Sequence, residues 1–370
     1  MRDREACIVL NLLSGIGYTR FRLLVETFGS PAEALERSAA EILQLRGFGV
    51  ALAENIASWR RRIDLESELT FAEKAGVQIV TLADSNYPEL LREIHDPPLC
   101  LYIRGILPED FSCSVAIVGS RRMSAYGRNC TRMLTAQAVE TGWIVVSGLA
   151  YGVDFEAHST VLENGGCTVA VLGGGLARIH PQEHIPLAQK IVENGGAVIS
   201  EFPMNFPVSR QSFPRRNRIV SGLSQAVLVV EAGVKSGALI TANLALEQGK
   251  SVYAVPGHID NAQAAGCHKL IQDGCKLVTS FEDVRSDFDY LRPTQPELFH
   301  EPAAEYHLHS PYSVEEEAVL DALEKGGPQN FDALAISTGI ESGTLLGILM
   351  KLEMMMTVTQ LPGKNYTLRS

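Results

Sequence analysis

The chain of 370 residues has no C-x-x-C pair, no long apolar run and no excess of positive charge, and its first buried strand does not end in G-x-G-x-x-G. Each absence removes a class of protein. The seven cysteines, from Cys7 to Cys275, are scattered and odd in number, which argues against a disulfide framework and against a zinc site. The N-terminus, MRDREACIVLNLLSGIGYTR, has only a brief apolar run before polar residues return. Neither a signal peptide nor a membrane span is expected, and the reading is cytoplasmic. A net charge of −11 is the reverse of the positive coat of a nonspecific duplex binder, so any nucleic acid must be held by local charge. Without the dinucleotide fingerprint, NAD or FAD binding is not expected.

What is present is the composition of a folded protein, 46% hydrophobic and 20% charged, in a chain too long for one core. Residues 1–75 carry apolar positions at helical spacing, broken by glycine turns at Ser14–Gly17 and Gly47–Gly49. This predicts a small all-α domain. Its paired turns read either as helix-hairpin-helix elements whose N–H groups hold a phosphate or as helix punctuation, since no lysine adjoins them. Residues 76–290 alternate short β-branched runs with amphipathic helices, the pattern of a mostly parallel, doubly wound sheet. The expected strands are VQIVTL, CLYIRG, VAIVGS, WIVVSG, TVAVLG, AVISEF, AVLVVEA and SVYAVPG. Residues 291–312 are proline-rich and aperiodic, a linker, and residues 313–370 give three short helices and two strands, a winged helix. The third of those helices is apolar with a single lysine, which suits protein contact or autoregulation better than a DNA groove.

In such a sheet ligands bind outside the carboxyl ends of the strands, where helix N-termini supply free N–H groups. VAIV runs into Gly119, Ser120 and Arg121, a turn in which glycine lets an anion approach, serine caps the helix and arginine clasps a phosphate. The strongest feature is SRQSFPRRNR at 209–218, where Arg210, Arg215, Arg216 and Arg218 crowd together with no acid among them. Phe213 beside Pro214 gives an aromatic between cations, as a single strand with unstacked bases requires. The alternative is that Phe213 is core and that some arginines pair with Glu201 or Glu231. At least one arginine is expected to be structural. Lys235, Ser236 and Gly237 open another helix after AVLVVEA and form a second anion site. Glu231 has no partnered nucleophile and is expected to orient an arginine. His180 and His184 have the spacing of metal ligands but no third partner, so no metal is expected.

With these motifs together, GSR at 119–121, SGLAYGVDFEAH at 147–158, FPRRNRIVSGLS at 213–224, SGALITA at 236–242 and AVPG at 254–257, the chain resembles the bacterial DNA-processing protein A family, also called Smf. The resemblance implies an α/β fold: an extended Rossmann-like doubly wound sheet, flanked by an N-terminal SAM/helix-hairpin-helix-like domain and a C-terminal winged helix. It implies a protein that binds and protects single-stranded DNA, forms a homodimer through the Rossmann-like domain and loads the RecA recombinase during natural transformation, with no cofactor and no catalytic activity. Carried over by position, the DNA site comprises Gly119, Ser120, Arg121, Arg210, Gln211, Ser212, Phe213, Arg216, Asn217, Arg218, Lys235, Ser236 and Gly237. The chain departs from the family at His180, usually tyrosine, and at His268, usually asparagine. The rival reading is a phosphoribohydrolase-like nucleotide hydrolase, but EAGVKSGALIT lacks that class's P-G-G-x-G-T-x-x-E pattern.

Overall fold

Every strand expected from the sequence is formed in the computed structural model, which describes residues 1–291, 312–355, 357–361 and 363–369. The expected linker at 291–312 lies, apart from its two end residues, outside the described residues. The strands are β1 (Val77–Thr81), β2 (Cys100–Gly105), β3 (Ser114–Val118), β4 (Ile144–Ser147), β5 (Thr168–Val171), β6 (Ala197–Ser200), β7 (Ala226–Val229), β8 (Ser251–Ala254) and a further two-residue β9 (Lys276–Leu277). They form one sheet in the order β1-β2-β6-β5-β4-β3-β7-β8-β9, parallel from β6 to β9, with β1 and β2 added antiparallel at one edge.

The strand chemistry follows from burial on both faces. Along β3, Val115 and Ile117 enter one apolar layer while Ala116 and Val118 enter the other, so the strand reads as an unbroken hydrophobic run. Crossover helices cover both faces: α9 (Ala125–Glu140), α10 (Val153–Glu163), α11 (Ile185–Glu193), α12 (Ser212–Gly222), α13 (Gly237–Glu247) and α14 (Ala265–Gln272). From β3 the chain winds outward through β4, β5 and β6, then returns to place β7 on the other side of β3. That reversal opens a crevice beyond the carboxyl ends of β3 and β7. The register aligns Val118 with Val229, so both strands end at one level.

Before the sheet come α1 (Asp3–Leu12), α2 (Tyr18–Phe28), α3 (Pro31–Ala34), α4 (Ala39–Leu43), α5 (Val50–Ala57), α6 (Trp59–Arg62) and α7 (Leu65–Lys74), and the short α8 (Glu89–Arg92) lies between β1 and β2. Five consecutive residues of α1, Ala6 to Leu10, are fully buried, because the helix packs both on its own module and on the sheet. Arg4 donates to the Ile79 carbonyl and Asn11 to the Glu201 carbonyl, so Met1–Pro293 forms one compact unit. Arg20 does not reach outward from the glycine turns. It donates to the carbonyls of both Gly15 and Gly47 and ties the two turns together.

The second unit has its own apolar core, with Val319, Leu334, Leu345, Leu349 and Val358 buried. Its helices Val314–Gly326, Phe331–Thr338 and Ser342–Met354 precede a hairpin of Val358–Leu361 and Asn365–Leu368, the order of a winged helix. No single described helix is long and apolar enough to cross a membrane.

Candidate nucleic-acid interface

Beyond the crevice the ends of β3, β4, β7 and β8 and the start of α12 enclose an open groove of about 540 Å³. Its first wall is the turn after β3. A Cβ on Gly119 would come within 2.6 Å of Val153 and 3.0 Å of the Glu231 carbonyl, so only glycine lets this turn lie against β7. The Ser120 amide donates to the Glu231 carbonyl at 2.6 Å, and its hydroxyl donates to Gln263 Oε1 at 3.2 Å. Ser124 then caps α9 by accepting from the Gly127 amide.

Buried Glu231 joins two walls. Its carboxylate accepts from the Ser124 amide at 2.8 Å and from Asn261 Nδ2 at 3.3 Å, linking the turn after β3 to the loop after β8. It orients no arginine, contrary to expectation. That task falls to Glu201, because β6 ends beside α12 whereas Glu231 lies under α9.

The second wall begins α12. Reciprocal bonds between Ser209 and Ser212 fix the turn, and Pro214 in the first helical turn needs no N–H partner. Arg210, Phe213, Pro214, Arg216 and Asn217 line the groove. Arg216 is only 4% exposed and forms the floor, donating to the Gly148 and Val171 carbonyls. Burial pulls it down to about 10, so it stays protonated at neutral pH. Beneath it Asp154 accepts from the Gly148 and Ala150 amides, holding Leu149 in the left-handed region at φ 55°. Burial raises the Asp154 carboxyl, opposed by nearby Arg216 and those amides.

The third wall is Lys235, Ser236 and Gly237, where Ser236 caps α13 by accepting from the Ala238 amide. Four groove-lining cations, Arg121, Arg122, Arg210 and Lys235, are exposed, and their side chains make no hydrogen bond or ion pair among the described residues. Instead, Arg121 lies over the Phe213 ring, 4.9 Å from its centroid.

Ten of the thirteen expected residues therefore line one groove: Gly119, Ser120, Arg121, Arg210, Phe213, Arg216, Asn217, Lys235, Ser236 and Gly237. Three do not. Arg218, 8% exposed, turns away to pair with Glu201 and Asp96. Ser212 is buried in its bonds to Ser209, and Gln211 is exposed at the helix start, outside the lining. Groove residues absent from the expected set include Arg122, Ile240 and Gln263. Gln263 lies in the loop between β8 and α14, where no cation stands beside it in the sequence to mark the position.

His158 lies fully buried on α10, near Arg216. The Thr168 hydroxyl donates to the Val145 carbonyl, so it can only accept from His158 Nδ1, at 2.8 Å, leaving a buried, unpartnered Nε2. Burial, then Arg216 and His184, pull this imidazole from 6.5 down to about 3. Between those values the unfolded chain binds a proton that the folded chain refuses, so stability falls as the pH drops below 6.5. Going from pH ~7.5 to ~5.5 should cost about 1 kcal/mol through this residue. Urea unfolding at both pH values should show that loss in the wild type and a smaller one in His158→Gln. His184 is also engaged, donating from Nδ1 to the Leu149 carbonyl, and no described cluster of His, Cys, Asp or Glu could hold a metal.

With this geometry in place, comparisons with known proteins identify a family. A family model described as DNA recombination-mediator protein A matches residues 78–289, and a DprA winged helix domain model matches 302–364. Protein Smf of Escherichia coli (strain K12) is 41% identical over 251 residues, spanning 68% of this chain and 67% of that protein. The X-ray structure of DNA processing protein A from Streptococcus pneumoniae superimposes with a TM-score of 0.67 at 33% identity, covering 78% of this chain and 99% of that one. A structure of the Helicobacter pylori DNA processing protein A, for which a single-stranded DNA binding mode is described, matches with a TM-score of 0.50 at 29% identity, over 57% of this chain and 95% of that one. The chain belongs to the DNA recombination-mediator protein A family, DprA/Smf, as its motifs implied.

Proposed function

We propose that the groove binds the backbone of single-stranded DNA, and that the chain acts in DNA processing during natural transformation by protecting incoming single strands and loading RecA onto them. The observation that carries this reading is the set of four unpaired cations, with the capped N-terminus of α13, gathered at the sheet's switch point in a chain of net charge −11. Apolar Phe213, Pro214 and Ile240 stand beside those cations. A duplex presents phosphates and hides its bases, whereas a single strand offers both. The single-stranded DNA binding mode described for the Helicobacter pylori relative supports the same ligand.

We infer binding rather than hydrolysis. Asp154 is the one carboxylate among the described lining residues, and it is committed to two backbone amides. The homodimer would form at the open edge of the sheet, where β9 has unpaired backbone groups and Leu277 is 43% exposed. Fluorescence anisotropy with a labelled oligothymidylate of about 15 nucleotides, and with a duplex of equal length, tests the ligand. The single strand should bind more tightly, with an affinity that falls steeply between about 50 and 200 mM salt. Equal binding of both, or none, would contradict the proposal. RecA filament growth on single strands coated with single-strand-binding protein, with and without the chain, tests the loading role.

A further inference from the structure

Cations account for the phosphates but leave open what meets the bases. Phe213 is the aromatic of the groove, yet its ring is already engaged. The Arg121 guanidinium covers one face at 4.9 Å, that of Arg216 lies 6.0 Å from the centroid, and Gly173 packs so closely that a Cβ there would sit 3.2 Å from the ring. A base that stacked on Phe213 would have to displace Arg121, the cation expected to grip its phosphate.

Free apolar surface lies across the groove. Ile240, one turn into α13, is 43% exposed although it lines the cavity, and Pro214 at the start of α12 is also exposed. Asn217 Nδ2 donates to the Gly237 carbonyl at 3.4 Å and so couples the two helices that carry them. A large aliphatic side chain left bare among lysine and arginine costs solvation unless a ligand covers it, and a nucleobase has the apolar face to do so.

Resting on the single-strand reading of the groove, we propose that Ile240, with Pro214, is the surface on which a nucleobase packs, while Phe213 holds Arg121 in place for the phosphate. Ile240 is then a base-contacting residue and Phe213 a positioning residue. The contact is aliphatic and has no hydrogen-bond pattern, so it tolerates sequence.

The test compares an oligothymidylate with an abasic oligomer of the same length, which keeps the phosphates and removes the bases. Ile240→Ala should weaken oligothymidylate binding about threefold to tenfold, leave abasic binding unchanged, and keep the salt dependence of the wild type. Ile240→Phe should recover the lost affinity. At 43% exposure the position tolerates both changes, and an unchanged Tm confirms folding. An equal loss on both oligomers, or a loss on neither, overturns the inference and leaves the groove reading standing. Failure of the wild type to bind either oligomer overturns the groove reading and this inference with it.

Discussion

Replacing Arg218 by alanine is expected to destabilise the first unit by about 3–5 kcal/mol while the folded protein keeps its affinity for single-stranded DNA within about twofold. Arg218 is charged and 8% exposed, and it pairs through Nη2 with Glu201, itself 3% exposed. It also donates to the Asp96 carbonyl and lies 3.3 Å from the Asp96 carboxylate. Truncation removes these partners at once and leaves Glu201, among the described residues, with Arg215 alone as an ion-pair partner, at 3.3 Å and half exposed. An uncompensated buried carboxylate is the costly outcome, more so than the loss of any single bond. Arg218→Met with Glu201→Gln, which removes both charges, should recover part of the stability. Urea unfolding measures the first effect and anisotropy the second. A variant of normal stability that no longer binds DNA would place Arg218 at the ligand instead.

Arg121→Ala should have the opposite profile: normal stability, and single-strand affinity reduced about tenfold to a hundredfold, the worth of a charge-assisted phosphate contact. Its side chain is exposed and spends its charge on no acid among the described residues, so folding does not depend on it. The loss should be uniform across sequences, because a phosphate contact carries no base information. The slope of log affinity against log salt should become shallower by about 0.7, one fewer neutralised phosphate on a single strand. Arg121→Glu should abolish measurable binding by setting repulsion where attraction stood. Arg121→Lys should restore most of the electrostatic part but less of the packing on Phe213, since the planar guanidinium is what lies over the ring.

The contrast between these two arginines marks how far the sequence could be read. Strands such as VAIV and AVLV were legible because burial on both faces demands unbroken β-branched runs. β9 was not, since a two-residue strand with both residues exposed has no pattern to detect. The groove was legible because each of its walls is local: a strand end, a glycine or serine, a cation. Which arginine faces solvent was not. Arg210 and Arg218 differ only in position along the turn and α12, and the acid that claims Arg218 lies at the end of β6, brought near by packing. Glu201 and Glu231 both stood as candidate partners for the arginines, and the sequence could not separate them, as each follows a strand but only Glu201 meets α12. Phe213 stood correctly among the cations, yet its capture by Arg121 depends on the approach of the turn after β3, which spacing along the chain cannot give.

The groove itself is tested most directly by solving the structure of the chain with a bound oligothymidylate of about six nucleotides, within the span of a single-strand site. The strand should run through the groove, with phosphate oxygens in hydrogen-bond reach of Arg121, Arg210, Lys235 and the Gly237 amide, and with Arg218 still paired to Glu201. A strand bound elsewhere, at the glycine turns of the first helices or on the winged helix, with the groove between β3 and β7 empty, would contradict it.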